Sequence, residues 1–138
     1  MANALFTPYK ETLLSQNPAV DLDSDTIKVA LVTAGYTFNA AHQFYSSITP
    51  GSNVVGTPQT LASKTVAGGV FDAADATFTA VTGSQVVALV IYKDTGDNAT
   101  SPLIAFIDSA SAGLPVTPNG GNIVIAWDNG TNRIFKVG

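Results

Sequence analysis

Val86-Val87-Ala88-Leu89-Val90-Ile91-Tyr92 is the most apolar run of the chain, and no polar residue interrupts it. It is far shorter than the ~18 residues a membrane-crossing helix requires, and β-branched residues dominate it, so it reads as a strand. A strand with no polar face needs cover on both sides. That requirement points to a layered fold built around this segment.

Other short runs can supply the layers. Thr26 to Thr33 is β-branched and alternating, Leu61 to Val66, Val70 to Asp72 and Ala76 to Phe78 are shorter, and Leu103 to Ile107 reads as the pairing strand of the central run. Gly68-Gly69 marks a tight turn, and Lys93 to Pro102 is a polar hairpin-type connection. Asn129-Gly130 predicts a closing hairpin between Ile123–Trp127 and Asn132–Val137. About eight short strands separated by turn clusters predict an all-β fold, a small antiparallel sandwich or barrel.

One short N-terminal helix is expected over Leu5 to Leu14. Thr7 is placed to cap it, Pro8 suits the first helical position, and Tyr9, Leu13 and Leu14 recur at helical spacing. Two or three turns are marginal alone, so this helix must dock on its own sheet or on a neighbouring subunit. The reading is therefore one domain over 1–138, with a helical arm over 1–20 and a β domain over 21–138. The stretch from Ala34 to Pro58 is expected to be irregular, with one helical turn within Ala40 to Ser46. So long an excursion is usually functional or ordered by a partner.

Charged residues make up only 12% of the chain, about half the usual share. Such a surface either lies against partners or is solvated by abundant Thr, Ser, Asn and Gln. The net charge is −4 and the six basic residues (Lys10, Lys28, Lys64, Lys93, Arg133, Lys136) are scattered, which disfavours direct nucleic-acid binding. No cysteine is present, so disulfide and thiolate chemistry are excluded. Neither a basic-then-apolar leader nor a membrane-length apolar segment is found, and a soluble protein is expected. Asn98-Ala99-Thr100 and Asn129-Gly130-Thr131 match glycosylation acceptors but read as turns.

The search for chemistry returns incomplete sites. His42 is the only histidine and has no identifiable partner for catalysis or metal binding, so a loop or interface hydrogen bond is expected. Asp21, Asp23 and Asp25 alternate as in a calcium loop, but Thr26 stands where that loop needs glycine and Val32 where it needs glutamate. Asp72 and Asp75 could be a carboxylate pair for glycoside hydrolysis, yet each is equally explained as closing a turn. Neither Gly68-Gly69 nor Gly120-Gly121 leads into the helix of a phosphate loop. No catalytic residue, cofactor or metal is assigned, and an enzyme is the least favoured class.

The aromatics Tyr36, Phe38, Phe44 and Tyr45 concentrate in the irregular stretch, where they either plug the ends of a sandwich or anchor a subunit contact. Together with Leu5, Phe6, Tyr9 and Leu13 of the helical arm, they are the expected interface residues.

Several strings in order carry a family resemblance: Asp25-Thr26-Ile27-Lys28-Val29-Ala30-Leu31, Tyr36-Thr37 followed by His42-Gln43-Phe44, and Val70-Phe71-Asp72-Ala73-Ala74-Asp75-Ala76-Thr77-Phe78. Ala88 to Gly96, Ser101 to Asp108 and Ile125-Ala126-Trp127-Asp128-Asn129-Gly130 complete the set. From about residue 22 onward the chain resembles a family of small structural proteins of tailed bacteriophage particles. The resemblance implies a virion component, assembled in the host bacterial cytoplasm, with other virion proteins as partners and no catalytic residue to carry over. The leading expectation is a capsid decoration or cement protein that bridges the major capsid protein as a homo-oligomer such as a trimer. A tail or fibre-associated protein is the second expectation, and a host-glycan-binding attachment module using exposed Tyr and Trp rings is the third.

Overall fold

The computed structural model describes residues 4–15, 20–108, 114–127 and 134–136. The order of elements is β1 (Ala4–Leu5), α1 (Thr7–Ser15), β2 (Ile27–Thr33), a 3-10 turn (Tyr45–Ile48), α2 (Pro50–Asn53), β3 (Val54–Thr60), β4 (Thr65–Ala67), β5 (Val70–Asp72), β6 (Ala76–Phe78), β7 (Val86–Lys93), β8 (Leu103–Ile107), β9 (Ile123–Ile125) and β10 (Phe135–Lys136). A five-stranded sheet in the order β1-β8-β7-β2-β3 is accompanied by a three-stranded sheet β10-β5-β4 and a two-stranded sheet β6-β9. All pairings are antiparallel and the arrangement is sandwich-like, as expected; no barrel closes among the described residues.

The apolar run forms β7, the middle strand of the large sheet, and it is covered on both faces. By register, Ala30, Val32, Ala88, Val90 and Phe106 share one face, while Val29, Leu31, Leu89 and Ile91 share the other. Both sets are buried, the second wholly so. Alanines at 30 and 88 leave the first face shallow, and aromatic side chains from outside the strand fill it.

β3 was not expected as a strand, because Gly56 and Pro58 read as loop. It runs along the edge of the sheet, where a proline costs no inter-strand bond. Val29 pairs with Gln59 and Leu31 with Val55, so Gly56, Thr57 and Pro58 together stand opposite Ala30. The surplus bulges outward, and Gly56 takes φ +68°, a conformation that favours glycine. The strand expected from Leu61 begins only at Thr65. Gly68 and Gly69, at φ +59° and +77°, form the anticipated tight turn between β4 and β5.

The C-terminal strands depart from the expected hairpin. β9 pairs with β6 and β10 pairs with β5, each through partners far away in sequence. Phe71 and Ala76 are five positions apart, whereas their partners Phe135 and Ile125 are ten apart. The two small sheets are thus one interrupted ribbon, with extra chain on the C-terminal arm. The expected Asn129-Gly130 turn lies outside the described residues. At the interruption, Trp127 N donates to Asp75 Oδ1 at 3.1 Å and the indole Nε1 donates to the Ala74 carbonyl at 3.2 Å.

α1 starts at Thr7 rather than being capped by it, because Phe6 occupies the cap position, its carbonyl accepting from Lys10 N. Tyr9 faces inward as expected, joined by Thr12, whereas Leu13 is 36% and Leu14 90% exposed, contrary to the expected stripe. The pairing of β1 with β8 fixes the helix rotation: Ala4 sits opposite Phe106, Leu5 opposite Ala105, and Phe6 N bonds the Ile104 carbonyl. The helical arm is therefore woven into the main sheet.

Candidate functional site

Beyond β1, the outer edge of β8 is closed by the loop that follows β2. Leu103 N donates to the Gln43 carbonyl, Tyr45 N to the Ser101 carbonyl, and Phe44 bridges to Pro102. Ser46 N bonds the Asn98 carbonyl and Thr7 N bonds the Ala40 carbonyl. Sheet edges left open recruit other chains, and this one is covered from within. The element that orders the long loop is the protein's own sheet. Its helical turns fall at Tyr45–Ile48 and Pro50–Asn53, later than the expected Ala40 to Ser46.

The expected interface residues separate accordingly. Phe6, Tyr9, Tyr36 and Tyr45 are buried in the chain's own core, Leu5 and Phe38 pack against it, and Phe44 is half-buried. Phe38 lies 5.3 Å from Phe6 and 4.8 Å from Phe106 between ring centroids, and Tyr36 lies 6.2 Å from Phe106. Tyr45 stacks on Tyr92 at 3.9 Å with the rings 9° apart. These rings fill the shallow face left by Ala30 and Ala88. Only Leu13 of the eight is presented to the outside.

Several titratable groups are likewise engaged. Tyr36 Oη and His42 Nδ1 are 2.8 Å apart, so His42 makes the loop hydrogen bond expected of it. Asp75 holds the Trp127 amide, and Asp25 Oδ2 accepts from Asp21 N at 2.8 Å and pairs with Lys93 Nζ at 3.1 Å. Lys64 Nζ donates to the Asp25 carbonyl. Among the described residues no group of three or more His, Asp or Glu converges as a metal-binding set. Asp21 and Asp23 lie close together on the surface: their hydrogen bond holds the Asp21 carboxyl below the usual range and, with the Asp21 charge, raises that of Asp23.

Lys28 of β2 pairs at 2.9 Å with Asp94, the residue after β7, both about a quarter exposed. The lysine contact, aided by the Gly96 amide, holds the Asp94 carboxyl below its ordinary value. A depressed acid contributes stability that is present at neutral pH and lost as pH falls below the unfolded value of 3.8. Solvent screening limits the pair to less than about 1 kcal/mol. Lys28→Met is accordingly expected to lower the melting temperature slightly at pH 7, with the difference from the wild type shrinking as pH falls below 3.8, as followed by circular dichroism.

Two surface grooves are lined by described residues. One, of about 410 Å³, overlies the Tyr45–Tyr92 stack between Lys28, Asp94 and the β3 bulge at Gly56 and Pro58. The other, of about 550 Å³, lies between α1, the Asp21–Asp25 turn and β4, and is lined by Tyr9, Leu13, Val20, Leu22 and Val66 with Asp21, Asp23, Asp25 and Lys93. Leu13 and Val66, two of the four large apolar side chains exposed among the described residues, both line it. Val66 escaped the sequence reading because its exposure depends on β4 being the outer strand of its sheet.

No protein-family model matches the chain, and no curated protein matches it either.

Proposed function

We propose that this protein is a non-catalytic structural component of a tailed-bacteriophage particle, a capsid decoration or cement protein acting on the major capsid protein. The observation that carries the reading is how the surface is divided. Most rings are buried and many charges are engaged internally, while Leu13 and Val66, two of the four large apolar side chains exposed among the described residues, line the groove beside α1. A domain of this kind strengthens a shell by burying apolar area at each repeated lattice contact. A symmetric oligomer such as a trimer would match it to a lattice. The resemblance to phage structural proteins from residue 22 onward supports the same assignment.

Glycan attachment is less favoured. Sugar rings need exposed aromatic faces, yet all four tyrosines and the single tryptophan are at most 8% exposed. Electron microscopy of particles lacking this protein is expected to show density missing from the outer shell at lattice positions. Unchanged shell density would sink the reading, and density lost from the tail instead would move the protein there.

A further inference from the structure

The groove beside α1 combines two features that together specify an occupant. Its apolar part is formed by Leu13 and Val66, 36% and 49% exposed, with the half-buried Leu22. Its rim carries Asp21 and Asp23, both exposed, and among the described residues neither is paired with a lysine or arginine. Asp25 differs, since Lys93 already meets it. An incoming cation would therefore find two neighbouring carboxylates whose mutual repulsion it relieves.

The same charges exclude other occupants. A second copy brings a net charge of −4, and three of its six basic residues, Lys28, Lys64 and Lys93, are held by internal contacts. Anionic lipid and nucleic acid would be repelled by the aspartates. We propose that this groove docks a polypeptide segment of a different protein in which a Lys or Arg lies beside aliphatic residues. The aliphatic side chain rests on Leu13, Leu22 and Val66, and the cation reaches Asp21 and Asp23. The inference deepens the shell-docking function above, on which it rests only for the identity of the partner.

A random heptapeptide library selected on the purified protein tests it, with the binding site mapped by amide chemical shifts. Peptides carrying a basic residue next to Leu, Ile or Val are expected, with shifts at Leu13, Leu22 and Val66. The double substitution Asp21→Asn, Asp23→Asn is expected to weaken those peptides ~10-fold at low salt and far less at high salt. Val66→Ser should weaken them at either salt, while Val124→Ser, at a 56% exposed apolar position on β9, leaves them unchanged. All four positions are exposed, and melting curves verify folding. Acidic peptides, no enrichment, a footprint elsewhere, or self-association removed by Val66→Ser would each overturn the proposal. Adding the wild-type protein to particles that lack it separates the two readings: the expected peptide footprint without particle binding sinks the shell assignment and leaves the groove standing.

Discussion

Replacing Trp127 with alanine is expected to destabilise the protein by about 3–5 kcal/mol, the range for deleting a large buried aromatic. Trp127 is 6% exposed and sits where the β5–β6 and β9–β10 ribbon is interrupted. It closes that gap twice, through its amide to Asp75 Oδ1 and its indole to the Ala74 carbonyl. Alanine leaves a cavity and one carbonyl without its donor. A graded series follows. Trp127→Phe keeps most of the burial but loses the indole bond, costing about 1–2 kcal/mol. Asp75→Ala frees the Trp127 amide at similar cost, and Asp75→Asn less, since an amide oxygen still accepts. Urea unfolding measures all four. Hydrogen exchange in Trp127→Ala should accelerate first in β6 and β9, and a loss below about 1 kcal/mol would show that the ribbon is held elsewhere.

Alkaline titration is expected to ionise the tyrosines together with unfolding rather than before it. Burial raises all four phenols, Tyr9 and Tyr45 to about 12, and Tyr36 and Tyr92 upward as well. A phenol raised in the folded state stays neutral there while the unfolded chain ionises from the ordinary value of 10.0. The unfolded state then binds fewer protons, so stability, intact below pH 10, falls as pH rises from 10 towards about 12. Tyrosinate absorbance and the loss of far-ultraviolet dichroism should share one midpoint. Stepwise ionisation near pH 10 with the sheet intact would contradict the burial of these rings.

How much of this was legible in the sequence depended on whether a signal was local. β7 and β8 stood out because strands buried on both faces cannot hide their apolar runs, and the β4–β5 turn because two adjacent glycines leave few alternatives. β3 was obscured by Gly56 and Pro58, residues that an edge strand with a bulge tolerates. Asn129-Gly130 encouraged a local hairpin, but β9 and β10 take partners some 50 and 65 residues away, and no local pattern encodes that choice. The aromatics of the long loop could be listed but not placed. The signal that places them lies in other strands, where Ala30 and Ala88 on one face of a β-branched sheet announce that large side chains must arrive from outside. The docking groove was the least legible part, since Leu13, Asp21 and Val66 are brought together only by the assembled layers.

The pairing of Ala4 with Phe106 joins chain positions about a hundred residues apart. Closing so long a loop is slow compared with local hairpins, so this step belongs late in folding. On a ribosome, Phe6 and Tyr9 wait without cover until β8 has emerged. α1 has no rotation to hold before then, and Tyr9 and Leu13 cannot yet form a wall against Val66. The groove therefore comes into being only in a chain whose main sheet is complete, which gives the order of events a built-in checkpoint: a half-made molecule has nothing to dock with.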